Sequence, residues 1–309
     1  MNTEYETLSP DLFEPAVVQE DEKERIAAPH LNAFQDAWIR LRKNKAAVIS
    51  MVVIVIILLF AIFAPMLSSY NYRATDYNNT YLKPCLEHPF GTDKYGRDLW
   101  VRCWMGTRIS LLIGVFAAML DLFIGVTYGA ISALVGGKVD SVMQRVIEIL
   151  VGVPSLIVII LLMMLMPAGL GTIAVAMAIT GWIGMARLVR AEILKLKSSE
   201  YVQAAILLGT SQGKIITKHL IPNTVGVIVI NTMFTIPNAV FTEAYLSFIG
   251  LGLQEPNASL GVLINNGYSV LQSYPHVLIF PAVIIVLIMV CFSIFGDGLR
   301  DALDPKMRK

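Results

Sequence analysis

Six apolar runs, each of about 18–26 residues, leave this chain few ways to fold in water. They lie at Ala46–Leu67, Ile109–Leu134, Ile147–Met166, Gly171–Leu188, Val225–Ile249 and Val277–Phe295. A membrane crossing takes about 20 apolar residues, because a rise of about 1.5 Å per residue must cover roughly 30 Å of hydrocarbon. Inside that layer no water is available to backbone polar groups, so each run has to bond within itself as a helix. The expected fold class is therefore an all-α membrane protein with six transmembrane helices. Composition agrees: 56% of the 309 residues are hydrophobic and only 15% charged, against about a quarter charged in soluble domains. The net charge of +1 supplies no basic surface, so no nucleic-acid partner is expected. The first run follows a polar tail and is too long for the apolar region of a signal peptide.

Basic residues orient the spans. With both termini in the cytoplasm, 18 of the 24 Lys and Arg fall on cytoplasmic segments, and the other six all lie in the loop 68–108. This distribution predicts a multi-pass protein of the cytoplasmic (inner) membrane with both termini inside. Residues 1–25 carry eight carboxylates and little to bury, so the segment 1–33 reads as a disordered acidic cytoplasmic tail. Phe34, Ala37, Trp38 and Leu41 then recur at helical spacing ahead of Arg40, Arg42, Lys43 and Lys45. That pattern predicts an interfacial helix on the inner leaflet, joined to the first span over 34–67. An external loop over 68–108, a transmembrane core over 109–296 containing a cytoplasmic loop at 189–222, and a cytoplasmic tail over 297–309 complete the expected layout.

The loop Ser198–Asn223 is the most informative stretch. Ser199 suits a helix N-cap, with Glu200 in the positive first turn. Val202, Ala205, Ile206 and Gly209 share a face, and Gly209 suits the left-handed turn that ends a helix. Thr210 or Ser211 then opens a second helix, with Ile215, Ile216, His219 and Leu220 on its apolar side and Lys214 and Lys218 on its polar side. Pro222 is expected to close the unit. Two short amphipathic helices around a glycine need something to dock against.

The spacing Gln203-Ala204-Ala205, Gly209, then His219-Leu220-Ile221-Pro222 resembles the coupling-loop signature of prokaryotic ABC importer permeases. Gln203, His219 and Ile221 stand where that family has an acidic residue, isoleucine and leucine. Three further segments are similar to the C-type membrane subunits of dipeptide, oligopeptide and nickel importers. One is His88 to Asp98, containing Gly91, Thr92, Asp93, Gly96, Arg97 and Asp98 and continuing through Arg102, Gly106, Arg108, Ser110 and Leu111. The others are Glu243 to Gly252 with Pro256 and Gly261, and Phe295 to Pro305. The resemblance implies a five-helix type I importer core preceded by one added helix. It implies a permease that moves di- or oligopeptides by alternating access, with nickel or another small solute as the alternative cargo. It also implies the partners: a homologous B-type permease subunit, two ATP-binding subunits that hold ATP and Mg, and an extracytoplasmic solute-binding protein. The loop residues named above would then meet the ATP-binding subunits.

The residues themselves leave other roles open. Gly91 and Gly96 suit tight turns, and Asp93, Arg97 and Asp98 form either an ordered charge cluster or part of a solvated loop. Asp297 and Asp301 flank Arg300, as a charge-stabilised helix exit or as a contact with the ATPase. Asp121 sits near the middle of the second span, and Asn231, Thr232, Thr235 and Asn238 share much of one face of the fifth, with Glu243 near its outer end. These residues either line the substrate path or bond helix to helix. Gly125, Gly129, Gly136 and Gly137 are expected to let helices approach closely. Cys85, Cys103 and Cys291 have no metal-ligand spacing, and a Cys85–Cys103 bridge stays open. No catalytic or metal-binding residue is expected. Gly209 to Ile215 fails as a P-loop, with three residues between its glycines and Ile215 where Ser or Thr should hold magnesium. An ion-coupled secondary transporter would show an internal repeat, and none is visible.

Overall fold

A computed structural model describes residues 33–167 and 169–303. The expected acidic tail up to residue 32, and residues 304–309, lie outside the described residues. The helices are α1 (Ala33–Lys43), α2 (Lys45–Leu67), α3 (Leu99–Val135), α4 (Gly137–Val151), α5 (Ser155–Leu165), α6 (Leu170–Lys197), α7 (Glu200–Leu207), α8 (Gln212–Ile215), α9 (Ile221–Phe248), α10 (Leu260–Tyr268) and α11 (His276–Leu303). Among the described residues the only β pairing is an isolated bridge between Thr92 and Asp98.

Five helices are long and apolar enough to cross a membrane, and the pair α4–α5, bent by 77°, makes a sixth crossing if counted as one. The third expected span, Ile147–Met166, is thus not a straight helix. Pro154 has no N–H for the Leu150 carbonyl and its ring disfavours helix at Val153, so the chain breaks at Gly152–Pro154 and restarts at Ser155. Spans two, four and six run longer than their apolar runs. Helix α3 starts at Leu99, ten residues before Ile109, and its 37 residues make a rod about 55 Å long. The loop expected over 68–108 therefore ends at Asp98, whose side chain accepts a hydrogen bond from Val101 N at 2.8 Å and caps α3. Helix α6 continues past Leu188 to Lys197, and α11 runs through Asp297 and Asp301 to Leu303.

Proline shapes α2 as well. Pro65 lies inside this helix and leaves the Ala61 carbonyl without its usual donor. Arg108 replaces it, donating from Nε to Ala61 O at 2.9 Å and from Nη2 to Ile62 O at 2.7 Å. One side chain of α3 thereby ties the two helices together and satisfies carbonyls that lipid could not.

The bundle has three main packing centres. Ile54 and Ile57 of α2, Trp104 and Leu111 of α3, Val240 of α9, Leu263 of α10 and Ile288 of α11 form the first. Ile113 and Ala117, Ile159, Ile173 and Met177, and Ala239 and Leu246 join α3, α5, α6 and α9 in the second. The third lies at the end of the bundle that carries α7 and α8. Glycine brings α3 and α6 together: a Cβ on Gly125 would lie 2.6 Å from that of Met185, and one on Gly129 would collide with the Ala186 carbonyl. Gly136 and Gly137 do something else. A Cβ on either would meet no neighbour, and with φ of +67° and +55° they turn the chain from α3 into α4.

Helix α1 forms where the spacing of Phe34 to Leu41 places it. Ala37 and Leu41 are buried against Ala47 and Ala302, and it is Trp38 and Ile39 that face outward. The apolar side of α1 packs on the protein's own first and last spans, and Gly298 admits Ala47 at the same junction. All three cysteines are free: Cys103 and Cys291 are buried and Cys85 is exposed.

Candidate functional site

Three constellations stand out along the bundle. The first is the loop between α6 and α9. Helix α7 ends in a paired turn in which Gly209 N donates to Ile206 O and Thr210 N to Ala205 O, each at 3.0 Å. Gly209 sits at φ +76°, the left-handed position that this closure requires. Ser199 occupies the N-cap position, but its hydroxyl donates backward to Leu196 O at 2.6 Å and does not cap the helix. Gln203 Nε2 donates to Lys197 O at 2.7 Å, tying α7 to the end of α6.

Pro222 does not close this unit. A helical run continues from Gly213 to Phe248, and the turn Ile216–Leu220 widens to π spacing, with Ile221 N donating to Ile216 O. Widening just before the proline accommodates a residue that can neither donate nor fit against a tight preceding turn. The inward side of the loop is Val202, Ile215 and Leu220, all buried against Ala133, Met185, Val189 and Ile193 of α3 and α6. Lys197 Nζ donates to Ala133 O at 3.1 Å, a cation at the negative end of α3. On the outward side Glu200, Gln203, Ala204, Lys214, Lys218, Ile221 and Pro222 are exposed, with Ala205 and His219 half-buried. Leu207 and Leu208 project at 87% and 86% exposure, apolar side chains that sequence reasoning did not single out.

At the other end of α3, residues 68–98 fold into an ordered cap. Thr92, Asp93, Arg97 and Asp98 are buried, so the ordered cluster and not the solvated loop is what forms. Arg97 donates from Nε to Asp93 Oδ2 at 2.7 Å and from Nη2 to Glu255 Oε1 at 3.1 Å. His88 Nδ1 lies 2.8 Å from Asp98 Oδ1. Asn266 Nδ2 donates to the same Glu255 oxygen at 2.7 Å, joining the cap to α10. Burial alone would raise the Glu255 carboxyl, but Arg97, with Asn266 and Lys94 behind it, holds it below the usual glutamate range. Glu255, 158 residues from Arg97, carried no local signal in the sequence. Gly91 and Gly96 sit at φ +78° and +70° in the cap's turns.

Between the two ends lies a cavity of about 630 Å³, walled by α3, α5, α6 and α9. Asp121, Thr235 and Asn238 reach it, and Thr180, Gly181, Thr242 and Tyr245 line it too. Thr242 and Tyr245 continue the helical repeat begun by Thr235 and Asn238, a signal present in the sequence. Asp121 is 7% exposed, and its Oδ1 has no hydrogen-bond partner among the described residues. A carboxylate at mid-span costs on the order of 2.5–3.5 kcal/mol on insertion scales, so an unpartnered one needs a compensating environment. Two of the sequence candidates are elsewhere. Asn231 lies a turn away, its Nδ2 3.7 Å from Met185 Sδ. Glu243 is fully buried and receives hydrogen bonds from Ser110 Oγ at 2.6 Å and Ser247 Oγ at 2.7 Å. It joins α3 to α9 from inside the packing and does not face the cavity. Among the described residues no three His, Cys, Asp or Glu side chains gather as a metal site.

Long apolar helices, a cavity between them that holds a carboxylate and several hydroxyls, and an anchored helix–glycine–helix loop at one end define the class: a multi-spanning membrane transport subunit. Residues 125–309 match the family model described as binding-protein-dependent transport system inner membrane component, and residues 32–84 match the N-terminal TM domain of oligopeptide transport permease C. The chain is 49% identical to the oligopeptide transport system permease protein OppC of Bacillus subtilis, covering 97% of this chain and 98% of that protein. It is 46% identical to the dipeptide transport system permease protein DppC of the same organism, over 93% and 90%. It is 43% identical to the OppC of Escherichia coli, over 94% and 96%. The fold is similar to a chain solved in inward-facing conformations of the MetNI methionine ABC transporter, with a TM-score of 0.56 at 17% identity over 67% of this chain and 97% of that one. The chain belongs to the family of binding-protein-dependent transport system inner membrane components.

Proposed function

We propose that this permease subunit imports peptides, with its 198–222 loop taking the stroke from a partner ATPase. The observation that carries the reading is the division of the loop into two faces. Val202, Ile215 and Leu220 are buried in the bundle while Leu207 and Leu208 stand free at the tip. A tip of that kind fits an apolar groove on a partner, and a buried root passes the displacement to α3 and α6. Peptide cargo is supported by the oligopeptide and dipeptide permeases to which the chain is 43–49% identical. Two ATP-binding subunits, a homologous B-type permease that completes the pore and an extracytoplasmic binding protein make up the rest of the importer. This chain is the non-catalytic subunit and carries no cofactor of its own. Its glycine–lysine segment lacks P-loop spacing, and ATP and Mg belong to the partners. The charge distribution supports both termini in the cytoplasm, which puts the loop beside the ATPases and the 68–98 cap outside. Alternation of the cavity between the two sides moves the cargo.

The test replaces both tip residues, Leu207→Asp with Leu208→Asp. Since both side chains are exposed, the bundle should keep its melting temperature. The ATP-hydrolysing partner should cease to co-purify, and peptide-stimulated hydrolysis should vanish. Undiminished assembly and uptake in the double variant, or peptide transport in proteoliposomes free of any ATPase, would sink the reading.

A further inference from the structure

We infer that Asp121 makes the membrane cavity a binding station for the α-ammonium group of the passing peptide. This rests on the reading of the cavity as part of the peptide path and deepens it by naming the group recognised and the residue that recognises it. Asp121 is the only charged residue among the described side chains lining the cavity, and among the described residues it forms no ion pair. Its Oδ1 is buried without a hydrogen-bond partner among the described residues. Gly181 leaves the carboxylate room, since a Cβ there would stand 2.5 Å from Oδ1 and 2.8 Å from Oδ2.

Two of the five hydroxyls lining the cavity have already spent their hydrogens. Thr235 Oγ1 donates to Asn231 O at 3.1 Å and Thr242 Oγ1 to Asn238 O at 2.8 Å, each one helical turn back. What these threonines offer the cavity is lone pairs. Asn238 adds an amide oxygen on the same wall. These acceptors, with the hydroxyls of Ser155, Thr180 and Tyr245 that can accept as well as donate, share the wall with a single negative charge. A divalent metal would call for more oxygen ligands than one carboxylate and a few neutral groups. A primary ammonium, with three N–H donors and one positive charge, matches this set. A peptide carries that group at its N-terminus whatever its side chains. A station that recognises it therefore admits many sequences.

The experiment uses the whole importer in proteoliposomes with its binding protein. It compares uptake of one peptide and of its N-acetylated form, each at a concentration saturating the binding protein. The binding protein is the same throughout, so a change in the ratio of the two rates belongs to the permease. Asp121→Asn should slow the free-amine peptide about tenfold or more, as expected for losing the partner of a desolvated charge, and barely slow the acetylated one. Asp121→Glu should restore part of the preference. Equal slowing of both peptides overturns the proposal and points to a cation of the partner membrane subunit as the carboxylate's mate. Unchanged uptake of both overturns it as well.

Should Asp121→Asn fail to assemble, the wild-type importer answers the same question. Modification of Asp121 by dicyclohexylcarbodiimide, read by mass spectrometry, should be blocked by the free-amine peptide and not by the acetylated one. Equal protection or none refutes the station. Thr242→Trp separates this failure from failure of the path itself. If it leaves uptake intact, the cavity is not on the path. If it blocks uptake while the Asp121→Asn ratio stays at the wild-type value, only the ammonium assignment falls.

Discussion

Two buried carboxyl groups, Glu243 and Asp121, show how neighbours decide what a residue type means. Glu243 has two serine hydroxyls on its oxygens and no exposure, so it holds helices together. Asp121 faces open volume with an oxygen unclaimed. A third carboxyl, Glu255, works by charge. Its folded pKa lies below the ordinary glutamate value of 4.5, so its contribution is complete above that value and is lost as pH falls through the folded pKa. Wild type should therefore lose melting temperature more steeply on acidification below about pH 4.5 than Glu255→Gln, which starts lower at neutral pH and has no such titration. Parallel curves for the two proteins would remove Glu255 from the cap's pH response.

Among the elements, the α6–α9 loop depends on one backbone position. Gly209 at φ +76° closes α7 through two backbone hydrogen bonds, and an L-residue pays about 1–2 kcal/mol to sit there. Gly209→Val should swing the Leu207–Leu208 tip away from its docking direction. Uptake should fall several-fold at unchanged amounts of assembled complex, and Gly209→Asn, which tolerates this conformation better, should recover much of the loss. Wild-type uptake by Gly209→Val would show that the tip's direction does not matter. The glycine was legible from spacing alone, and so was the amphipathic pattern around it. That Pro222 continues the helix was not, because the π-widened turn that admits it is a compromise among neighbouring carbonyls with no residue signature of its own.

For the whole molecule, α3 links the two ends. The cap is built on its first turn at Asp98, and the α7–α8 loop packs against its last turns through Ala133. Orientation across the membrane has a direct test in Cys85, the one exposed cysteine of the three. A membrane-impermeant maleimide added to spheroplasts should label this chain, and Cys85→Ser should abolish the labelling. Labelling of Cys85 only after the membrane is opened would place the cap inside and reverse the proposed topology.

Hydrophobicity along the chain determined that it is an all-helical membrane protein, because an apolar run of about 20 residues has few other stable states. The loop's helix–glycine–helix form was readable because glycine and amphipathic spacing act within one or two turns. Helix lengths were less so. Helix α3 begins ten residues before its apolar run, since the polar residues of that extension find partners in the cap and at α2: Asp98 with His88, Arg102 with the Tyr72 carbonyl at 2.8 Å, Arg108 with Ala61 and Ile62. Only the tertiary structure could sort Asp121, Asn231, Thr235, Asn238 and Glu243 into cavity wall and packing. Which polar side chain meets open space and which meets a serine depends on distant segments. Asp121 lies 60 residues from Gly181, and Ser110 lies 133 residues from Glu243.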